Sequence, residues 1–446
     1  MMGTQLYAGA RKIVITPPVG VDLCGWGYRE GPSIGVHDDL CAAALYLRSE
    51  VELLIITADL IGLDAGTIGR VRAGIEQATG IPGSHIMIGC SHTHSGPATP
   101  AISGLGRVDA DYMAVLERKL VGLGQMARDA AEPAALGCLR EPVQMGINRR
   151  VRRGDTTVID RNEEGVVAPY VDVVAVDSMA GAPLARYFVH AAHPVTLRPD
   201  NLRVSADWPG YAQRTVEAVY GEGCVALFGQ GCCGNINSDG GHGYENAQKQ
   251  GRMVAGAVIK AAECAEKQPG VPLGAASEQL LLPCQDPPPV AEAEALLAQL
   301  KQQAAVEDNW GVMNMRAGDV VWGERILALA QQGARGLTMA AEVQALRLGD
   351  FALVGLPGEV FVEYALAIDA AAPFAQTATM GYANGCVGYV PTAAAFAEGG
   401  YEVTHAIRFY GDTMLTPECE ELLVGSARRL LRELQSAGTP GGVSGV

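Results

Sequence analysis

Only eight histidines occur in 446 residues, and two of them, His92 and His94, stand two apart in Gly89-Cys90-Ser91-His92-Thr93-His94-Ser95-Gly96-Pro97. They follow the short apolar run His85–Gly89, which reads as a strand. In extended backbone, residues i and i+2 face the same side, so H-x-H can present two imidazoles to one ion. The C-terminal ends of strands are also where open α/β sheets place ligands. The same motif suits a surface loop whose histidines only make hydrogen bonds, and spacing alone does not separate the two readings. A further imidazole, His193, closes Tyr187-Phe188-Val189-His190-Ala191-Ala192-His193-Pro194, where Pro194 cannot continue a ladder. His190 lies inside that apolar run and reads as a core or supporting residue. A third strand, Phe351–Gly355, runs through Leu356-Pro357-Gly358 into Glu359, an odd place for a purely structural carboxylate. Three strand ends thus deliver His, His and Glu, enough for a catalytic zinc.

The elements that must position these residues alternate between strand and helix over the first 270 residues. Val51–Ala58 is a buried strand, Ala65–Gly80 is helical, His85–Gly89 is a strand and Asp109–Ala131 a second helix. Val171–Asp177 and Ala185–His190 read as neighbouring strands. Trp208–Tyr220 is a helix opened by Asp207 with Pro209 in its first turn, Cys224–Phe228 a strand, and Tyr244–Lys267 a long helix. Gln268–Pro289 is Pro-rich and reads as a linker or excursion. Val290–Ala304 and Arg325–Gln332 suggest a small helical excursion over about residues 285–335. Gln344–Gly355 returns to strand with a turn at Gly349-Asp350, Leu415–Gln435 is an amphipathic helix, and residues 437–446 read as a flexible tail. No internal repeat occurs. The pattern predicts the α/β class.

Composition narrows the partners. The chain is 48% hydrophobic and 18% charged, which excludes a disordered polymer. With 33 basic against 49 acidic residues the net charge is −16. Such a surface repels phosphate backbones, so no nucleic-acid partner is expected. No run of about 18 apolar residues occurs, so no membrane span is expected. Met1-Met2-Gly3-Thr4-Gln5 lacks a basic region followed by an apolar stretch. Eleven scattered cysteines without C-x-x-C spacing suit reduced thiols, and the expected location is cytoplasmic.

Taken together, these segments resemble the neutral (non-lysosomal) ceramidase family in its N-terminal catalytic domain. The matching stretches follow the family's order: Ser91-His92-Thr93-His94-Ser95-Gly96-Pro97, Asn148-Arg149, His193-Pro194, Ser205-Ala206-Asp207-Trp208-Pro209-Gly210, Gly229-Gln230-Gly231, Pro357-Gly358-Glu359, and Asn384 followed by Tyr389-Val390-Pro391-Thr392. Tyr401 falls twelve residues after Tyr389, the separation expected of two family tyrosines. The similarity runs over about residues 7–430. It implies a single large α/β catalytic domain with a mixed-sheet core over residues 1–436, and one zinc ion held by His92, His193, Glu359 and Tyr389. A phenolate ligand requires the metal to lower a pKa near ten. His94, Arg149 and Tyr401 match residues that line the family's site and contact the scissile group or its oxyanion. Each has a plain alternative: Arg149 opens a basic run, Arg149–Arg153, typical of a solvated face, and both tyrosines could be packed aromatics. Ligand positions from 92 to 389 span about 300 residues, so one domain must draw on nearly the whole chain, against the two or three domains that length alone suggests.

The chain departs from the family where the ceramidases carry a serine in a Gly-Asp-x-Ser-Pro type turn. Here the stretch is Gly231-Cys232-Cys233-Gly234-Asn235-Ile236-Asn237-Ser238, with Asn237 at the serine position and Ser238 one place late. A one-residue shift reverses a side chain's direction in extended structure, and a buried, Gly-flanked cysteine is more often packing than nucleophile. The expected function is therefore hydrolysis of an amide bond in a soluble small molecule by zinc-activated water, which needs no serine. His94 would be the base, Tyr401 and Arg149 would steady the oxyanion, and Asn237 would hydrogen-bond the substrate or the water. The alternatives are an esterase or lactonase on the same site, a zinc-dependent lyase or isomerase, and a catalytically silent zinc-binding protein. The family's extra C-terminal β-sandwich and signal sequence have no counterpart here, which directs the expectation away from extracellular lipid; a homo-oligomer is compatible with the composition.

Overall fold

The computed structural model describes residues 5–307 and 309–437. Eight strands form one sheet in the order Val225–Gln230, Pro183–His190, Tyr170–Ser178, Glu132–Pro142, Tyr7–Val14, Cys41–Arg48, Glu52–Ala58, Ile86–Cys90. A second sheet has the order Leu273–Pro283, Thr338–Leu348, Phe351–Gly355, Gln376–Met380. Both are mixed. The apolar runs that marked strands in the sequence are buried on both faces. Ala43, Leu45, Leu53 and Ile55 face the second sheet and pack with Leu346, Leu348, Phe351 and Leu353. Ala42, Ala44, Leu54 and Ile56 point the other way, onto Ile68, Val71, Leu116 and Leu120 of the helices Ala65–Thr79 and Ala110–Asp129. On the far side of the second sheet, Val343, Ala352 and Val354 pack with Ile368, Leu423, Leu430 and Leu431 of the helices Val362–Ala371 and Cys419–Ala437. The layers are helix, sheet, sheet, helix, in a single α/β domain.

Three parallel strand pairs build the working edge: Glu52–Ala58 with Ile86–Cys90, Pro183–His190 with Val225–Gln230, and Phe351–Gly355 with Gln376–Met380. Each pair is joined through a helix, so all six strands point their C-terminal ends the same way within their pair. Helix starts are defined locally, with the Asp64 and Asp109 carboxylates accepting from the backbone N–H of Thr67 and Tyr112. The two sheets are stitched at these ends: Asn384 N–H donates to Ile88 O at 2.8 Å and Gly381 N–H to Gln230 O at 2.9 Å.

The stretch expected as a Pro-rich linker is corrected by the structure. Leu273–Pro283 is an eleven-residue strand paired in continuous register with Thr338–Leu348. It is an edge strand with a largely exposed face, so its residues carry no buried-strand signal, and Pro283 sits at its end where an edge tolerates it. Between these paired strands lie the helices Val290–Ala305 and Trp310–Gln331. The second is longer than the expected Arg325–Gln332, because its first half, rich in glycine and valine, has weak helix propensity. Of the tail expected at residues 437–446, Ala437 ends the last helix and the rest lies outside the described residues.

Candidate metal centre and active site

His92 leaves the strand Ile86–Cys90 with φ +63, a left-handed conformation that costs energy in a non-glycine residue. Its backbone N–H donates to Leu60 O, and its Nδ1–H donates to Ile61 O at 2.6 Å. His193 follows Pro183–His190; its Nδ1–H donates to Cys233 O at 2.6 Å. With Nδ1–H donating to a carbonyl, the ring nitrogen that faces the site is Nε2 in each case. Both Nε2 atoms point at Glu359 Oε2, at 3.3 Å from His92 and 3.2 Å from His193. His94 Nε2 lies 3.2 Å from His92 Nε2.

Glu359 arrives from Phe351–Gly355 through Pro357-Gly358, and its neighbour in a short parallel ladder is Tyr389. Register partners send their side chains to the same face, so the fold delivers carboxylate and phenol together. Gly358 is required there: its φ is +131, and a Cβ would stand 2.5 Å from Gly388 O. The Tyr389 hydroxyl accepts from Arg149 Nη2 at 2.9 Å. Arg149 Nε donates to Glu402 Oε1 at 2.9 Å and Nη1 to Asn237 Oδ1 at 3.1 Å. The basic run is thus split: Arg149 and Arg150 are buried and Arg152 and Arg153 exposed. Each guanidinium nitrogen of Arg149 has a protein acceptor, so Arg149 holds Tyr389 and Asn237 in place.

The exposures sort the site. His92, His193, Glu359, Tyr389 and Arg149 are buried, whereas His94, Asn237 and Tyr401 keep an edge toward solvent. Gly25, with φ +101, lies flush on the His94 ring, where a Cβ would come within 2.5 Å. Trp26 stands edge-on to the same ring at 5.2 Å. The Tyr401 ring meets Tyr389 edge-to-face at 5.8 Å. Asn237 pairs with Ile147 and bridges to His193, while Ser238, facing the other way, reaches Thr196 Oγ1 at 3.3 Å. Cys232 and Cys233 are buried, and burial pushes both thiols up, out of the range of a nucleophile at neutral pH. His190 donates from Nδ1 to Tyr170 O and packs beside Trp208, a core residue.

Electrostatics show what the buried half lacks. Burial, with the positive Arg149 and the neighbouring His92, lowers His193 to about 4. Burial, with the neighbouring His92 and His193, holds His94 well below the ordinary imidazole value. Burial alone would raise the Glu359 carboxyl, but His92 and His193 outweigh it and keep it well below the carboxylate range. Around neutral pH the centre is therefore a set of acceptors aimed at one another with few protons to share. Such a set can hold a cation, and imidazole nitrogen with carboxylate oxygen is a donor set that suits zinc. His92, His94 and His193 have ligand atoms within 4.8 Å of one another. The Tyr389 hydroxyl is driven well up by burial, with Arg149 pulling against it.

Sequence reading did not find Tyr382, Tyr410 or Glu402. Tyr382, with φ +52, stacks on His92 at 4.1 Å and donates to Glu359 Oε2 at 3.3 Å. Tyr410 donates to Glu359 Oε1 at 2.5 Å.

No protein-family model and no curated protein sequence matches the chain. Solved structures do. A ceramidase in complex with C2 superposes with a TM-score of 0.75 at 18% identity, over 99% of this chain and 77% of that one. The neutral ceramidase from Pseudomonas aeruginosa superposes with a TM-score of 0.72 at 19% identity, over 99% of this chain and 76% of the other. Across its whole length, the chain has the ceramidase fold.

Proposed function

We propose that the protein is a zinc-dependent hydrolase that cleaves an amide bond in a small soluble molecule. The observation that carries this reading is the convergence of the His92 and His193 Nε2 lone pairs on the Glu359 carboxylate, buried and short of protons. The ceramidase fold supports it. His92, His193, Glu359 and Tyr389 would hold one zinc ion per chain. When bound, zinc would polarise the scissile carbonyl and acidify water near it.

The chain's own residues supply the rest. His94 is neutral around pH 7, sits at the solvent-facing edge and is the base that takes the proton from the attacking water. Burial raises the Tyr401 hydroxyl, so it stays protonated and donates to the carbonyl oxygen as negative charge develops there. Arg149 engages Asn237 through Oδ1, leaving the amide Nδ2–H₂ to donate to the substrate. No serine hydroxyl faces the centre from the segment 231–238, in keeping with direct attack by water.

Metal analysis of the purified protein, followed by a panel of N-acyl compounds, esters and lactones in ¹⁸O-water, tests the reading. One zinc per chain and ¹⁸O in the acid product of an amide are expected. Turnover of esters or lactones but not amides would reassign the substrate bond. Product without ¹⁸O would mean a lyase or isomerase, and absence of zinc would overturn the proposal.

A further inference from the structure

The chain carries sixteen excess negative charges, yet two cavities beside Trp26 are lined by more arginines than carboxylates. A cavity of ≈ 670 Å³ opens beside Trp26 and is lined by Arg29, Arg107 and Asp22. A second, of ≈ 380 Å³, lies on the other side of the Trp26–Leu197 contact and is lined by Arg198, Arg203 and Asp200. Four arginines thus meet two aspartates. Asp22 is engaged by the Arg107 backbone N–H at 3.0 Å. Arg29 is buried and gives its three nitrogens to the carbonyls of Asn201, Cys24 and His94, so its charge has no carboxylate beside it. Among the described residues, no carboxylate lies within ion-pair distance of Arg107, Arg198 or Arg203, although most arginines elsewhere in the chain have one. Arg198 instead lies over the Trp26 ring at 5.0 Å, and Trp26 stands edge-on to His94 at 5.2 Å.

An unpaired guanidinium over an indole is held in place without being neutralised, and its planar fork matches a carboxylate. A patch of one sign on a protein of the opposite sign also draws in oppositely charged solutes. Resting on the hydrolase reading above, we propose that the substrate is an amide bearing a carboxylate, bound by Arg198 on Trp26, with Arg107 and Arg29 supplying the surrounding positive potential. The scissile amide then lies on the inner side of Trp26, against His94.

The test uses the full chain loaded with zinc and a matched pair, N-acylphenylalanine and N-acylphenethylamine, which differ only in the carboxylate. Acyl chains of two to twelve carbons are compared. The acid is expected to have a kcat/KM at least tenfold higher. Arg198→Gln should erase that advantage through KM, and Arg107→Gln should reduce it by less; both side chains are exposed, so folding is not at stake. Zinc content should not change. Equal or better turnover of the neutral amine would overturn the carboxylate assignment while leaving the hydrolase standing. If neither is cleaved, calorimetric binding decides: binding of the acid but not the amine, lost in Arg198→Gln, supports the site independently of activity. Binding of neither, or binding unaffected by Arg198→Gln, overturns it.

Discussion

On one side of Glu359 stand His92 and His193, whose Nε2 atoms face its carboxylate at 3.3 and 3.2 Å, with His94 Nε2 3.2 Å from His92 Nε2. On the other stands Arg149, bonded to Glu402, Asn237 and Tyr389, with Arg150 Nη1 on the second oxygen of Glu402 at 2.7 Å. Consecutive strand residues would normally face opposite ways. Here the ladder between Gly146–Arg153 and Thr156–Asn162 shifts register between Asn148 and Arg150, a bulge that lets both arginines reach one carboxylate. Both sides bury charge, but on the guanidinium side each nitrogen of Arg149 meets a protein acceptor. The imidazole side is an excess of acceptors. The difference marks the side that can hold a cation, and it separates residues that would bind a metal from residues that hold the binders.

The largest effect should come from the acceptor side. Glu359→Ala or His193→Ala is expected to abolish zinc binding and reduce turnover on the order of 10³-fold or more, checked by metal stoichiometry alongside rate. Retention of a full zinc equivalent by either variant would break the comparison at its base. Tyr401→Phe tests the solvent-facing edge: kcat should fall about 10²-fold with zinc content unchanged, the loss typical of one donor to a developing oxyanion. A fall in zinc content instead would move Tyr401 from chemistry to metal support.

The two arginines sharpen the contrast within the donor side. Arg149→Met should weaken zinc binding about 10- to 100-fold, because the guanidinium that steadies the Tyr389 oxygen is gone. Arg150→Met should leave zinc affinity unchanged, since its partners are Glu402, Glu398 and Gly399 O. Both should lower stability by about 3 kcal/mol, as each leaves the buried Glu402 with one cation fewer. Denaturant melts and zinc titrations on the same two variants measure both quantities. Equal zinc affinities would show that Arg149, too, serves only the fold.

The site was legible where a ligand follows an apolar run. His92, His193 and Glu359 each come within a few residues of a strand whose burial on both faces makes it stand out. Tyr382 occupies the equivalent place after Gln376–Met380, but that strand reads QTATM, and its buried threonines look like surface residues in a sequence. Glu402 lies in a four-residue helix without periodicity. Its role depends on a bulge near residue 149, and no local pattern announces a contact between residues 253 apart. The basic run 149–153 shows the same limit: alternation predicts two faces, but not that the bulge turns Arg149 and Arg150 inward together. The helix–sheet order of the first half was readable from period. The edge strand Leu273–Pro283 was not, because it buries too little to carry one.

The smallest effect should come from Asn237, which stands where the resemblance would put a serine. Its Oδ1 accepts from Arg149 and its backbone pairs with Ile147 in the strand beside Arg149. Asn237→Ala removes one neutral donor to substrate and one acceptor of a guanidinium hydrogen. A neutral hydrogen bond contributes about 1 kcal/mol net, so kcat/KM should fall by about tenfold or less, with zinc unaffected. Asn237→Ser should behave the same way. Its hydroxyl would stand on the correct face, but Arg149 rather than an imidazole is the group bonded to that position, and a guanidinium is no base. Arg149 would hold the serine as it holds the amide. Faster turnover in Asn237→Ser, or an acyl-enzyme trapped on it, would show that the centre can run a serine mechanism and that the loss of that residue is what set this chain's chemistry apart.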